Sequence, residues 1–311
     1  MKRFTLYFLI TFFSLGVSAQ KDLGWKALKG EFNFIVANDL GRNGYYDQKP
    51  IAELMGVVAE EIGPEGVLAL GDVHHFNGVR STMDPLWTSN YEAIYSHPEL
   101  MIPWYPICGN HEYRGNTSAV IGYAEVSRRW EMPAYYYSKT FYDDGVSLKI
   151  IFLDTTPLID KYREDTEKYP DASKQDAQAQ LSWLKTELEN DTAQWTVVVG
   201  HHPIYADTPK ADEERRDMQY RVDELLREHD VNMYICGHIH NFQHIRMPGS
   251  KVEYVVNSSG SLSRKEVKKT EGSEFVSGEP GFSVLTVSAD SLTLSMINGK
   301  GEIIHTVSKK R

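Results

Sequence analysis

The feature of the sequence that most constrains its fold is a set of six short runs of apolar and β-branched residues. Most of these runs end in a polar residue that can bind a metal ion, and they occupy residues 32–39, 67–72, 104–110, 147–155, 195–202 and 231–238. Short apolar runs bounded by glycine predict buried strands, and ligands of open α/β sheets gather beyond the carboxyl ends of such strands. The pattern therefore predicts a sheet protein with its chemistry along one edge.

Helical patterns lie between several of the runs, at residues 51–62, 85–95, 117–130, 173–189 and 218–229. The clearest begins at Ser173, where Ser173 and Asp176 are spaced as in a capping box. From Phe242 onward the sequence predicts strands alone. We expect an α/β fold of two packed mixed β-sheets flanked by helices, with polar surface loops at 157–172, 206–216 and 264–278.

The first nineteen residues have the composition of a secretory signal peptide. Lys2 and Arg3 precede an apolar stretch from Phe4 to Leu15, and Val17-Ser18-Ala19 forms a small-residue cleavage site. The alternative is a retained membrane anchor, but the apolar stretch is short for a span. We expect 1–19 to be removed and 20–311 to form a single domain that is periplasmic or secreted and not bound to a membrane.

Charge and cysteine content exclude several classes of protein. The formal net charge is −10, and it becomes −12 once Lys2 and Arg3 are removed with a segment that has no acidic residue. Such a chain is a poor general binder of nucleic acid, so an anionic substrate needs a local positive centre such as a metal pair. Cys108 and Cys236 exclude a disulfide framework; they are two buried thiols or, in an oxidising compartment, one bridge.

Five strand ends supply candidate metal ligands. They carry Asp39, then Asp72 and His75, then Asn110 and His111, then His201, then His238 and His240. A lone aspartate or histidine after a strand is usually a turn residue, but five in order make coincidence improbable. Two metal ions bridged by a carboxylate form the clamp used for displacement at phosphorus, and a mixed carboxylate and imidazole set suits zinc, manganese or iron.

Longer segments around these strand ends resemble a known family. The stretches "IPWYPICGNHEYRGNTSAVIGYAEVSRRWEMPAYYY", "AQLSWLKTELE", "GHHPIY" and "YICGHIHNFQHI" are similar to purple acid phosphatases, in particular the tartrate-resistant branch of the calcineurin-like metallophosphatases. The resemblance implies a first metal held by Asp39, Asp72, His75 and His240, and a second held by Asp72, Asn110, His201 and His238. It also implies that His111 contacts the substrate phosphate and protonates the leaving group, while a metal-bound hydroxide attacks phosphorus.

One position departs from the family, because a tyrosine is expected where this chain has His75. A tyrosine phenolate binds ferric iron, whereas a histidine leaves the first site with one anionic ligand fewer. We therefore expect a colourless pair of divalent ions (zinc, manganese or ferrous iron) rather than ferric iron, and a pH optimum near neutral. The alternative is that His75 faces away and that His74 or water completes the site.

Three further positions bear on the substrate. Lys210 stands where the tartrate-resistant branch has a second histidine, and it is either a phosphate-binding charge or loop surface. His202 is a possible substrate-binding acid or an ordinary turn residue, and we expect Glu112 to orient His111. The sequence predicts a metal-dependent phosphomonoesterase acting on small phosphate esters. The alternatives are a phosphodiesterase or diphosphatase on the same metals, or a metal-binding protein without turnover.

Overall fold

The computed structural model describes residues 23–210 and 212–311, so the predicted signal peptide lies outside the described residues. Within these residues thirteen strands form two sheets. The strands are β1 Phe32–Ala37, β2 Gly66–Ala69, β3 Trp104–Pro106, β4 Tyr137–Asp143, β5 Val146–Phe152, β6 Trp195–Val199, β7 Met233–Cys236, β8 Phe242–Ile245, β9 Glu253–Val256, β10 Ser273–Ser277, β11 Gly281–Val287, β12 Ser291–Asn298 and β13 Ile303–Lys310.

Both sheets are mixed, as predicted. The first has the order β13-β12-β11-β1-β2-β3, and the second has the order β10-β8-β9-β7-β6-β5-β4. β1, β2 and β3 are parallel to one another, and so are β5, β6 and β7. Because the carboxyl ends of parallel strands lie at the same edge of a sheet, each sheet presents one edge where several strand ends meet.

The two sheets pack face to face through apolar side chains. Phe34 of β1 meets Phe141 of β4 edge to face, with ring centroids 4.8 Å apart. Tyr137 of β4 stacks on Phe152 of β5, and Tyr105 of β3 lies against the same phenylalanine ring. This aromatic contact holds the parallel strands of the first sheet over those of the second, which fixes the relative position of the two strand-end edges.

Six α-helices lie outside the sheets: α1 Gln48–Ile62, α2 Thr117–Gly122, α3 Asp160–Glu164, α4 Ala177–Glu189, α5 Glu213–Met218 and α6 Glu224–Glu228. The count of six refers to the residues that the structure describes. α1 confirms the helix predicted at 51–62 and begins three residues earlier. The pattern at 117–130 ends early, since α2 passes into a 3₁₀ turn at Tyr123–Glu125, and the pattern at 85–95 forms a π-helix at Thr88–Glu92.

The capping box predicted at Ser173 is wrong. Ser173 lies in the 3₁₀ turn Ala172–Lys174, and α4 begins four residues later than predicted. Asp176 is the N-cap, and its side chain accepts a hydrogen bond from the Ala179 amide at 2.9 Å. The physical reason is that a carboxylate can bind the orphan amide protons of the first turn by itself.

The three segments predicted to be polar surface loops contain regular structure. The first includes α3, the second includes the start of α5, and the third includes β10 at an edge of the second sheet. The sequence missed β10 because its residues are only partly buried, so they lack the apolar alternation of a half-buried strand. α5 also moves the start of the helix predicted at 218–229 to residue 213, with a π-helical turn at Gln219–Asp223 before α6.

Cys108 and Cys236 are free and buried, as the first of the two alternatives proposed. Cys108 follows β3 of the first sheet, and Cys236 ends β7 of the second. Burial raises the pKa of both thiols well above the usual value. They therefore behave as small apolar side chains of the core.

None of the described helices has both the length and the apolar content needed to span a membrane.

Candidate metal centre

The predicted ligands lie at the strand-end edges of both sheets. Asp39, Asp72 and Asn110 follow β1, β2 and β3 of the first sheet, while His201 and the two later histidines follow β6 and β7 of the second. Four of the eight described non-glycine residues with positive φ belong to this set: Asp39, Asp72, His238 and His240. A left-handed backbone turns the chain sharply at each of these strand ends, and non-glycine residues in this conformation cluster at active sites and ligand sites.

The first half of the centre consists of Asp39, His75 and His240 beside Asp72. The candidate ligand atoms of Asp39, His75 and His240 all lie within 4.8 Å of one another. His240 Nε2 is 3.0 Å from Asp39 Oδ1, and His75 Nε2 is 3.3 Å from Asp72 Oδ2. His75 therefore faces the cluster. His74 points elsewhere, since its buried ring lies edge to face on Trp87 with centroids 4.5 Å apart.

The second half contains Asn110, His201 and His238. His201 Nε2 lies 3.3 Å from the same Asp72 Oδ2 that faces His75, so this carboxylate oxygen stands between the halves. The rings of His201 and His238 are 5.2 Å apart. Asn110 is buried, and its Oδ1 has no hydrogen-bond partner within the described part of the chain.

The tautomers of the histidines follow from their hydrogen bonds. The Nδ1 proton of His201 is donated to the Leu70 carbonyl at 2.8 Å, and that of His240 to the Leu262 carbonyl at 2.6 Å. His238 has the opposite arrangement, because its Nε2 lies 2.9 Å from Glu214 Oε2. Each ring thus turns a nitrogen lone pair away from its hydrogen-bond acceptor, and second partners of this kind are what orient histidine ligands in metal sites.

The donor atoms fit a metal pair. Among the described residues, the buried atoms without a hydrogen-bond partner include Asp39 Oδ1, His75 Nε2, Asn110 Oδ1 and His201 Nε2, which come from four different strand ends. Buried polar atoms are nearly always paired, so a group of unpaired acceptors pointing into one space requires a ligand that accepts lone pairs. Metal cations meet that requirement, and the mixture of carboxylate, amide and imidazole suits zinc, manganese or iron.

The electrostatics of the cluster agree with this fit. Burial alone would raise the pKa of Asp72, but His201, His111 and His75 together hold it well below its usual value. Burial would likewise lower the pKa of His201, yet Asp72 raises it to about 10. Two buried carboxylates thus favour nearby positive charge, a role that metal ions fill in proteins.

His111 lies at the edge of the cluster. Its Nδ1 proton is donated to the Phe76 carbonyl at 2.6 Å, and its Nε2 is 3.8 Å from Asp72 Oδ2. The ring is 4.1 Å from that of His75. Burial lowers the pKa of His111 to about 3, so the ring is neutral until an anion approaches it.

The sequence suggested that Glu112 orients His111, but Glu112 has a different role in the structure. Its carboxylate accepts backbone hydrogen bonds from Asp72 at 2.8 Å, Gly109 at 2.7 Å and His74 at 2.9 Å. These bonds tie the chain after β2 to the chain after β3. The physical reason for the difference is local, because Phe76 already supplies the acceptor that His111 needs.

His202 and Lys210 occupy different surroundings. His202 is fully buried, and its ring nitrogens lie 2.8 Å from Thr155 Oγ1 and 3.1 Å from the Tyr162 hydroxyl. Both ring nitrogens therefore have protein partners, which leaves neither free for a substrate oxygen. Lys210 is exposed and lines a cavity of about 650 Å³ next to Ile239, the residue between His238 and His240.

Sequence reasoning missed two sets of supporting residues. Glu214 of α5 reaches His238, while its other oxygen is bound by Lys161 and by the Tyr162 hydroxyl at 2.7 Å. Asn257, after β9, donates to Asn38 Oδ1 at 2.7 Å, and Asn38 in turn donates to Asp39 Oδ2 at 2.6 Å. The only signal for the second set was the polar stretch "NSSGS" directly after an apolar strand; Glu214 gave none, because α5 looked like loop sequence.

Comparisons with known proteins point to one family. Residues 32–242 match the family model described as calcineurin-like phosphoesterase. The chain is 30% identical over 257 residues to tartrate-resistant acid phosphatase type 5 of Homo sapiens, covering 78% of each chain. It is 28% identical over 287 residues to purple acid phosphatase 4 of Arabidopsis thaliana, covering 89% of this chain and 83% of that protein.

Two solved structures share the fold. GAP50, described as the anchor in the inner membrane complex of Plasmodium, aligns with a TM-score of 0.78 at 24% identity, over 90% of this chain and 88% of that one. The purple acid phosphatase PPD1 from yellow lupin aligns with a TM-score of 0.63 at 17% identity, over 90% of this chain and 54% of that one. At these identities the two structures support the fold alone. The family model and the sequence relatives show that this chain belongs to the calcineurin-like phosphoesterase family of metal-dependent hydrolases, in its purple acid phosphatase-like branch.

Proposed function

We propose that the protein is a secreted dinuclear-metal phosphatase that hydrolyses phosphate monoesters. One observation carries the proposal: unpaired buried donor atoms from four strand ends face the space around Asp72 in a chain of this family. A metal-binding protein without turnover would need only the ligands. Here His111 Nε2 also lies 3.8 Å from Asp72 Oδ2, although His111 is not in the proposed ligand set.

Asp39, Asp72, His75 and His240 would hold the first metal, and Asp72, Asn110, His201 and His238 the second. A bound metal pair supplies positive charge to the phosphate oxygens and lowers the pKa of water. Asp72 is suited to the shared position because its Oδ2 is 3.3 Å from both His75 Nε2 and His201 Nε2. Its other oxygen accepts the His111 backbone amide at 2.9 Å, which fixes the orientation of the carboxylate.

His111 holds the proton for the leaving alcohol. Its Nδ1 is committed to the Phe76 carbonyl, so Nε2 is the nitrogen that can carry a proton toward the substrate. Burial keeps the free ring neutral, and the negative charge of a bound phosphate raises its pKa and favours protonation. Proton transfer at this position contributes about 10²- to 10⁴-fold to such reactions.

The metals are a divalent pair. With His75 in place of the family tyrosine, the proposed first site has two carboxylates and two neutral imidazoles, so it neutralises a divalent ion. A phenolate would add a third negative charge and favour a trivalent ion. The same argument predicts a colourless protein with a pH optimum near neutral.

The test is metal content, visible spectrum and turnover of the purified mature protein. We expect two divalent metals per chain, no band in the visible region and faster hydrolysis of an aryl phosphate than of a bis-aryl phosphate. Asn110→Ala should abolish turnover and lower the metal content. Preference for the bis-ester would mean a phosphodiesterase, and full metal content without turnover would mean a binding protein.

Secretion has a separate test. Expression of the full chain followed by N-terminal sequencing of exported protein should give Gln20 as the first residue. Retention of the whole protein in the cytoplasm, or of an uncleaved N-terminus in the membrane, would contradict this part of the proposal.

A further inference from the structure

A cavity of about 650 Å³ adjoins the metal centre, and cationic side chains line it. Lys210, Arg264 and Lys265 contribute to its wall beside Ile239. Ile239 lies between His238 and His240 in the sequence, so one residue of the cavity wall is the chain neighbour of two candidate ligands. In addition, the Arg264 amide donates a hydrogen bond to the His240 carbonyl at 2.7 Å.

The cations of this wall have no ion-pair partner among the described residues, although Glu266 also lines the cavity. No ion pair joins Lys210, Arg264 or Lys265 to a carboxylate of residues 23–210 or 212–311. Lys161, in contrast, pairs with Glu214 in the same region. Partial burial lowers the pKa of the Lys210 ammonium and the like charge of Arg264 lowers it further, while Glu214 and Asp39 oppose the shift.

Arg42 is a further cation near the ligand cluster. Arg42 is only 6% exposed, and its Nε has no hydrogen-bond partner in the part of the chain that the structure describes. The guanidinium lies 4.9 Å above the Phe76 ring. Burial lowers the pKa of Arg42, while Asp39 and Asp72 raise it and Arg264 lowers it, so the arginine is close to both the carboxylates and the cationic wall.

This arrangement favours the binding of an anion. Lys210, Arg264 and Lys265 are exposed and Arg42 is buried, so the wall attracts an anionic group by its positive charge. The carboxylates of the centre do not compensate these cations, because a metal pair would neutralise Asp39 and Asp72 first. In a chain of net charge −10, an unpaired positive wall beside the centre therefore indicates an anionic group of the ligand.

We propose that this cavity binds a second phosphate group of the substrate, so that the preferred substrates are organic phosphate esters carrying two phosphates. The inference rests on the proposed phosphatase function, since the first phosphate is the one held at the metal centre. Arg264 and Lys210 would bind the second phosphate through charge-assisted hydrogen bonds, and Lys265 would add charge at the mouth of the cavity. A substrate with a single phosphate would leave these cations unpaired.

The experiment measures binding to the metal-loaded protein by calorimetry. The probes are propane-1,3-diyl bisphosphonate and propylphosphonate, which differ by one phosphonate and cannot be hydrolysed at phosphorus. We expect the bisphosphonate to bind more tightly. Arg264→Met and Lys210→Met should each weaken bisphosphonate binding about tenfold more than propylphosphonate binding, since each removes one charged hydrogen-bond donor.

The controls distinguish charge at this place from net charge. Lys185→Met removes one cation from the exposed face of α4, where Lys185 Nζ lies 3.7 Å from Glu189 Oε1. It should change neither the affinity for the bisphosphonate nor that for propylphosphonate. Arg264→Lys should retain part of the selectivity because it keeps the charge and loses the fork geometry. Equal weakening of both probes by Arg264→Met, or equal affinity of the wild type for both, would overturn the proposal.

Turnover separates this inference from the proposed function. In one outcome the wild type hydrolyses propyl phosphate, and Arg264→Met does not alter the selectivity for the bisphosphonate. That outcome would support the phosphatase function and contradict the second phosphate site in the cavity. In the opposite outcome the binding selectivity depends on Arg264, but neither propyl phosphate nor propane-1,3-diol bisphosphate is hydrolysed. That outcome would support the second phosphate site in the cavity and contradict the phosphatase function.

Discussion

The two halves of the candidate metal centre differ in how the protein holds them. In the first half, His75 and His240 are almost fully buried and lie within 3.3 Å of carboxylates that follow β1 and β2. In the second half, the His238 side chain is 13% exposed, and its partner is Glu214 on a short helix outside the sheets. The histidines of the first half therefore pair with carboxylates at strand ends, whereas His238 of the second half takes its partner from a helix outside the sheets.

This difference suggests a division of roles. A buried histidine that pairs with a strand-end carboxylate is held on a rigid element, so the first half should retain its ion more strongly. A site that takes a supporting contact from a separate helix can be tuned without disturbing the fold. The following experiments test how far the two halves act separately.

The largest effect is expected for Asp72→Asn, because Asp72 faces both halves. Loss of the shared carboxylate removes charge from both sites, and we expect turnover to fall by about 10⁴-fold, as when one member of a catalytic unit is removed. Metal analysis should show depletion of both ions. Asp230→Asn is the matched control, since Asp230 has a similar positive φ and lies outside the centre. Loss of only one ion would show that the halves do not share this residue.

His75→Tyr and His75→Ala test the first half alone. The alanine variant should keep one metal per chain and lose the other, because the first site then has three protein ligands. The tyrosine variant, reconstituted with ferric iron, should gain a visible absorption band from the phenolate. A His75→Phe variant is the control for ring size. A colourless tyrosine variant with iron bound would mean that position 75 does not reach the metal.

Glu214→Gln tests the second half alone. Removing the charge that fixes His238 should weaken binding of the second metal by about 10- to 100-fold, the usual effect of a lost second partner on a ligating histidine. Competition with a chelator would measure it, and the first metal should be unaffected. Glu213→Gln is the matched control, because Glu213 is the neighbouring glutamate in α5 and is half exposed. Equal loss of both metals in Glu214→Gln would contradict the division into halves.

The smallest effect concerns a buried contact between the two sheets. Asp154, after β5, accepts a hydrogen bond from the Tyr113 hydroxyl in the turn after β3. Burial raises the pKa of Asp154 to about 8, so the folded protein holds a proton there that the unfolded chain releases above about pH 4. This contribution to stability is full below pH 4 and is lost as the pH rises through 8.

Asp154→Asn should remove that pH dependence. Between pH 5 and pH 9 the melting temperature of the wild type should fall further than that of the variant, by on the order of 3 °C, because an amide cannot ionise. Melting curves at both pH values measure the difference. Parallel changes in the two proteins would mean that Asp154 is ionised in the folded state throughout this range.

Much of the strand framework and the grouping of the ligands was accessible from the sequence. Apolar runs mark β1, β2, β6 and β7 because parallel strands are buried on both faces, and the polar residues that follow them must then meet at one edge. Structure that depends on packing was not accessible. β10 pairs with β8 although its residues are only partly buried, and its sequence resembles a loop.

The contacts around the ligands were the least predictable part of the centre. The Glu214–His238 contact joins residues 24 positions apart, and the Glu112 contacts to Asp72 and His74 span 40 and 38 positions. Such contacts depend on the relative placement of elements, which no local pattern encodes. The π-helical turns at Thr88–Glu92 and Gln219–Asp223 were missed because a π-helix keeps a pattern close to that of an α-helix.

The positive φ angles at Asp39, Asp72, His238 and His240 have a consequence for the evolution of this protein. Each non-glycine residue in this conformation costs about 1 kcal/mol relative to a relaxed backbone, and glycine would relieve that cost. A directed-evolution screen for heat resistance alone, run without metal, would therefore enrich for glycine at these positions and discard the ligands. A screen for hydrolysis would oppose it at the same four codons, so stability and activity compete at identical sites rather than at distant ones.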